Sequence, residues 1–158
     1  MSLPPSGSSI DDSLFILLMN EAFSYLQTNV KGISQLEEKL KDLGKLTGRK
    51  YHELFSLRER LSKRQAISAQ NAYIDALSFL SGQLWRSLFG KSADSLEKNV
   101  ESSSEFMIWE DQPVYAKFLS VPKDFGDFST ASFTAGIIES VLENLSFVSN
   151  FSHTSCVN

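Results

Sequence analysis

The spacing of apolar residues changes twice along this chain, and those changes restrict the folds available to it. Over roughly the first 100 residues, apolar positions recur every three or four residues, as they do along α-helices. Two short segments rich in aromatic and β-branched residues follow at 105–110 and 114–121, joined by a proline-containing turn. Helical spacing then returns at 131–144. This order predicts an α+β fold, with four or more helices packed on a small twisted antiparallel sheet.

The first predicted helix, 12–27, is apolar on nearly all sides. A helix of this kind has to be buried on more than one side. A chain of 158 residues fits one domain and offers one core, so we expect the second side to be covered by another subunit. The residues predicted for this subunit interface are Leu14, Phe15, Leu18, Met19, Ala22 and Phe23.

The second predicted helix begins near Ser34, which has capping-box spacing with Glu37. It carries one buried stripe, formed by apolar residues from 33 to 46, and Gly48 is expected to interrupt it before a further helical stretch at 51–61. Lys45 to Arg64 is locally basic, which is typical of an anionic-surface contact but also of a solvated helix face. The residues predicted for contact with an anionic membrane or an acidic partner are Arg49, Lys50, Arg58, Arg60, Lys63 and Arg64.

The third predicted helix, 67–89, ends at Gly90, which is expected to cap it in the left-handed conformation. Gly90, Lys91 and Ser92 resemble the end of a phosphate-binding P-loop. That loop requires a glycine where Trp85 stands and a strand before it, whereas a helix is predicted there. The motif therefore indicates a helix cap, and a short helix is expected at 92–98.

In the last predicted helix, Gly136 is expected to permit a close approach of two backbones.

Composition excludes several classes of protein. The net charge of −4 argues against a nucleic-acid partner. The longest apolar run, 14–19, is far shorter than the roughly 20 residues needed to cross a bilayer, and the start of the chain does not resemble a secretory signal. We therefore expect a cytoplasmic protein with a flexible tail at 1–11, a single domain at 12–147 and a divergent or disordered end at 148–158.

No catalytic group is predicted. His52 and His153 lack metal-ligand spacing, and Cys156 is a lone cysteine near the end of the chain. The sequence therefore predicts no catalytic residue, no metal and no cofactor, and hence no enzyme.

One alternative stays open, a pocket for an apolar small molecule instead of a plain core. The residues predicted to line this pocket are Trp85, Phe89, Trp109, Tyr115 and Phe118.

Two long motifs connect the chain with a known family. Residues 84–98, LWRSLFGKSADSLEK, resemble the helix-cap-helix signature of the small TRAPP (transport protein particle) subunits, most closely the fifth-subunit branch. Residues 130–142, TASFTAGIIESVL, are similar to the final helix of that family. The resemblance runs from about Ser13 to Phe147. It implies helices on one side of a twisted antiparallel sheet, and subunits that pair through their N-terminal helices.

The resemblance also implies a function. The chain would be a non-catalytic scaffold subunit of a TRAPP-type vesicle-tethering complex that acts as a guanine-nucleotide exchange factor in transport between endoplasmic reticulum and Golgi. Its expected partners are other TRAPP subunits through the first helix and a Rab-type GTPase through the assembled complex, with peripheral contact to both membranes. The family continues past the final helix with two strands, whereas this chain stops at Asn158. The sheet is therefore expected to be incomplete at the C-terminus.

Overall fold

The computed structural model describes residues 9–62, 72–100, 105–111, 115, 119 and 128–145 of the 158. They form helices and one two-stranded antiparallel sheet, which confirms the predicted α+β class. In chain order the elements are α1 (Ser9–Thr28), α2 (Ile33–Ser62), α3 (Ala72–Phe79), the π-helical segment (Leu80–Leu84), α4 (Trp85–Phe89), β1 (Ser95–Lys98), β2 (Phe106–Trp109) and α5 (Ala131–Asn144). α3, the π-helical segment and α4 make one continuous helix, because the residues at both junctions have right-handed helical dihedrals.

The chain divides into two compact units, which are described separately. The first comprises Met1–Phe23 and Leu77–Ser120, and the second comprises Ser24–Ala76 and Val121–Asn158. Two of the three boundaries fall inside helices, after Phe23 in α1 and after Ala76 in α3. The prediction of a single domain at 12–147 stays a prediction.

The second unit is built on the crossing of α2 and α5, where three glycines bring the two backbones together. A Cβ atom added at Gly44 would overlap the carbonyl oxygen of Phe133. One added at Gly48 would overlap the Ser140 hydroxyl, and one added at Gly136 would overlap the carbonyl oxygen of Lys41. The predicted close approach at Gly136 is therefore confirmed.

The same crossing corrects two predictions for α2. The helix is continuous through Gly48, so the predicted interruption there is wrong. Leu36 and Leu40 are buried as predicted, but Leu46 is more than half exposed. The buried face continues from Leu40 through Gly44 and Gly48, because positions four residues apart lie on one side of a helix. Packing against α5 outweighs the low helix propensity of glycine, which costs roughly 1 kcal/mol per residue.

An ion-pair cluster joins the two helices beside the glycines. The Glu139 carboxylate of α5 lies 2.7 Å from Lys41 Nζ and 2.8 Å from Lys45 Nζ, both on α2. Burial alone would raise the pKa of Glu139, but its hydrogen bonds with the two lysines outweigh burial and hold the pKa below its ordinary value. The hydrogen bond with Glu139 likewise raises the pKa of Lys45.

This cluster makes stability depend on pH. A carboxyl group whose pKa is lowered by folding contributes stability that is complete above its unfolded pKa and is lost as the pH falls through the folded value. The ordinary pKa of Glu139 is 4.5. We therefore expect the free energy of unfolding to decrease from about pH 5 to about pH 3. Glu139→Gln should flatten this decrease and cost about 1 kcal/mol at pH 7. Glu38→Gln, an exposed change on α2 outside the cluster, is the control; equal urea-unfolding profiles for the two variants would contradict the assignment.

In the first unit, α4 ends as the sequence predicts. Gly90 has a φ of 76°, in the left-handed region, and its N–H donates to the carbonyl oxygen of Arg86 at 3.0 Å. Glycine enters that region without the steric cost that other residues incur. The helix stop within the 84–98 motif is thus confirmed.

The segment after Gly90 differs from the prediction. Ser95–Lys98 is strand β1, not the end of a short helix, and it pairs with β2 in antiparallel register from Ser95 opposite Trp109 to Lys98 opposite Phe106. Asp94, expected near the start of that helix, instead accepts a hydrogen bond from the N–H of Asp111 at 2.8 Å. The predicted hairpin partner of β2, the 114–121 segment, lies mostly outside the described residues.

Candidate subunit interface

One side of α1 faces the core of the first unit. Met19 and Phe23 are buried in it. The ring of Phe15 meets the rings of Phe89 and Tyr115 edge to face, with centroids 6.3 Å and 6.5 Å away. Phe15, Met19 and Phe23 follow one another at intervals of four residues, so they lie on one side of α1, and that side is internal.

The opposite side of α1 is apolar and exposed. Leu14, Leu17 and Leu18 are 61–67% exposed, and their spacing of three and four residues places them together on the helix surface. We call these three leucines the α1 patch. Burying a leucine side chain stabilises a complex by about 1.5–3 kcal/mol relative to leaving it in water. The α1 patch is therefore suited to contact with an apolar surface.

The six residues predicted for the interface divide between these two sides. Leu14 and Leu18 belong to the exposed patch, whereas Met19 and Phe23 are buried within the chain, with Phe15 and Ala22 half-buried. Leu17 was missed, although its position three residues after Leu14 could have identified it. Use of α1 as an interface stays a prediction.

The residues that resemble a P-loop form a structural corner. Lys91 Nζ lies 2.6 Å from the Glu110 carboxylate and 3.6 Å from that of Asp94. The hydrogen bond with Glu110 raises the pKa of Lys91 above its ordinary value. The indole N–H of buried Trp85 also donates to Glu110. Lys91 thus ties the end of α4 to the end of β2.

The aromatic residues predicted for a pocket are only partly together. Trp85, Phe89 and Tyr115 are buried and in contact. The ring centroid of Phe89 lies 5.4 Å from that of Trp85 and 5.7 Å from that of Tyr115. Trp109 is 44% exposed on β2, and Phe118 lies outside the described residues. The three assembled rings pack directly on one another, which is typical of a core.

Part of the predicted basic cluster can be placed on α2. Arg49 and Lys50 are exposed, and Lys50 pairs with Glu53 at 3.1 Å. Arg58 and Arg60 belong to the last turns of α2. Lys63 and Arg64 lie outside the described residues, as do residues 1–8 of the predicted tail and the whole predicted end at 148–158, with His153 and Cys156. Residues 9–11 of the predicted tail belong to α1.

The described part of the chain shows neither a metal-binding cluster nor a membrane-spanning helix. No group of three or more His, Cys, Asp or Glu side chains there is arranged to hold a metal ion. No helix there has the length and apolar character required to span a bilayer.

Comparison with known proteins identifies the family. The model of the family described as "Transport protein particle (TRAPP) component" matches residues 15–157. The chain belongs to this family. It is 41% identical to Trafficking protein particle complex subunit 5 of Dictyostelium discoideum, over 92% of this chain and 75% of that protein. The human subunit 5 is 35% identical over 85% of this chain and 69% of its own length. The resemblance to TRAPP subunits, and to the fifth subunit among them, is confirmed.

A relative in yeast is less similar to the chain and carries another subunit number. Subunit 31 of the trafficking protein particle complex of Saccharomyces cerevisiae is 32% identical to the chain. That match covers 58% of the chain and 35% of the yeast protein.

Proposed function

We propose that the chain is a non-catalytic scaffold subunit of a TRAPP-type complex and that it binds a neighbouring subunit through the α1 patch. The observation that carries this proposal is the exposure of Leu14, Leu17 and Leu18 on a helix whose other side already fills the core. Relatives that align with most of the chain are named as subunits of a trafficking protein particle complex, which supports assembly with other subunits.

The wider role follows from the same family. The assembled complex would tether vesicles and promote nucleotide exchange on a Rab-type GTPase in transport between endoplasmic reticulum and Golgi. The chain would act there as a cytoplasmic component, peripheral to both membranes. Its own part would be to hold neighbouring subunits in place through the exposed leucines of the α1 patch.

The competing function, binding of an apolar small molecule, has less support. Its best candidates, Trp85, Phe89 and Tyr115, fill the space between them with their own rings. A scaffold needs a filled core and an apolar outer face, and the first unit has both.

Co-purification tests the scaffold function. Tagged chain is co-expressed with candidate TRAPP subunits, and the recovered partner is measured for the wild type, Leu18→Asp and Ile74→Asp. Leu18→Asp should weaken partner binding at least tenfold, because it removes apolar contact and buries a charge at the interface. Ile74 is 51% exposed on α3 and is the matched control, expected to recover the partner as the wild type does.

Unchanged recovery with Leu18→Asp, in a variant with a wild-type circular dichroism spectrum, would contradict use of the α1 patch. Failure of the wild type to retain any TRAPP subunit would contradict the scaffold role itself.

A further inference from the structure

Charge is distributed unevenly along the chain. Residues 45–64 contain seven Lys and Arg against two Glu, a net charge of +5, within a chain whose total is −4. The remainder of the chain therefore carries a net charge of −9. A positively charged segment within an otherwise acidic chain is typical of segments that contact anionic surfaces.

Within this stretch the structure describes the second half of α2, and the exposed side of that half carries both apolar and basic side chains. Leu46, Leu54 and Leu57 are 45–56% exposed there. Lys50 lies one helical turn from both Leu46 and Leu54, and Arg49 borders the same side. We call these five residues the basic face of α2. Leucines flanked by cations are the pattern of helices that lie flat in a membrane interface.

The cations of this face remain available for an external anion. Lys45, one turn earlier, is not part of it because its ammonium is held by Glu139. Lys50 is paired with Glu53, but the side chains are 70% and 65% exposed, and exposed pairs of this kind contribute little. The hollow between Leu46, Tyr51 and Leu54 is lined by α2 alone, so it does not enclose a small ligand.

We propose that the basic face of α2 docks on an anionic phospholipid bilayer, a contact that rests on the peripheral membrane role in the proposed function and assigns that role to a surface. The leucines enter the boundary between headgroups and acyl chains, while Arg49 and Lys50 contact lipid phosphates and carboxylates. Each Lys or Arg near such a surface strengthens binding by about fivefold. This contact uses none of the residues of the α1 patch.

Vesicle sedimentation with the purified full chain tests the proposal. At about 50 mM salt, vesicles containing phosphatidylserine should bind the chain, and vesicles of phosphatidylcholine alone should bind it at least tenfold more weakly. The paired change Arg49→Gln and Lys50→Gln should weaken binding to anionic vesicles at least tenfold. Leu54→Ser with Leu57→Ser should weaken it to a similar extent, and folding should persist because both leucines are exposed.

A matched variant controls for charge alone. Lys31→Gln with Lys39→Gln also removes two positive charges, but from exposed positions outside the basic face. It should change vesicle binding less than twofold. Equal binding to neutral and anionic vesicles, no binding to either, or equal losses for the two charge variants would overturn the proposal. So would α2 variants that keep vesicle binding and lose a protein partner, since the face would then be a protein interface.

Discussion

Replacing Gly136 by alanine is expected to lower the free energy of unfolding by about 2–3 kcal/mol. The added methyl group would overlap the backbone carbonyl oxygen of Lys41 and approach the backbone nitrogen of Lys45. Backbone atoms cannot rotate away as a flexible side chain can, so α2 and α5 would have to separate. Their separation would also loosen the packing of Phe133 against Gly44.

The matched control for this change is Gly82→Ala. Gly82 is also helical, but a Cβ atom there would meet nothing within 4 Å. Its replacement should leave stability unchanged or raise it by up to about 1 kcal/mol, because alanine has the higher helix propensity. Urea unfolding followed by circular dichroism measures both variants. A Gly136→Ala protein as stable as Gly82→Ala would show that the crossing of α2 and α5 is looser than the structure indicates.

Replacing Glu110 by alanine should cost about 2 kcal/mol. The change removes the acceptor of the Trp85 indole N–H, and a buried donor without a partner is expensive. It also removes the counter-charge of Lys91, whose side chain is 41% exposed and can be hydrated, so the loss of the ion pair adds less.

Two further variants separate these contributions. Glu110→Gln keeps an acceptor for Trp85 and loses only the charge, so it should cost less than half as much as alanine. Glu97→Ala, an exposed change on β1, should remain within about 0.5 kcal/mol of the wild type. Thermal unfolding monitored by tryptophan fluorescence provides the measurement. Equal costs for Glu110→Ala and Glu97→Ala would contradict the role assigned to the corner.

Local chemistry in the sequence predicted some elements well. The left-handed position at Gly90 follows from the end of a helical pattern at a glycine, and the structure has it there. Gly48 shows where such reasoning fails. Glycine is a helix breaker by propensity, but here it serves contact with Ile137 and Ser140, far away in sequence. Tertiary packing decided the outcome, and a helix propensity carries no information about that packing.

The candidate site shows a related limit. The apolar residues all round α1 indicate that two of its sides need to be covered. They do not indicate which residues face the core of the chain and which face a partner. That division depends on where Phe89 and Tyr115 meet Phe15, which are contacts between distant parts of the chain. Asp94 was similarly ambiguous, because a residue that commonly caps helices can also hold the end of a strand.

The most direct test of the scaffold role is the mass of the assembly that the chain forms. The chain is co-purified with TRAPP subunits, and the product is measured by light scattering coupled to size exclusion. The account predicts one stable species whose mass is the sum of the chain and at least one TRAPP subunit, and its loss when Leu17→Asp and Leu18→Asp are combined. A wild-type chain that elutes at its own 17.7 kDa, with every candidate subunit elsewhere in the profile, would contradict the account.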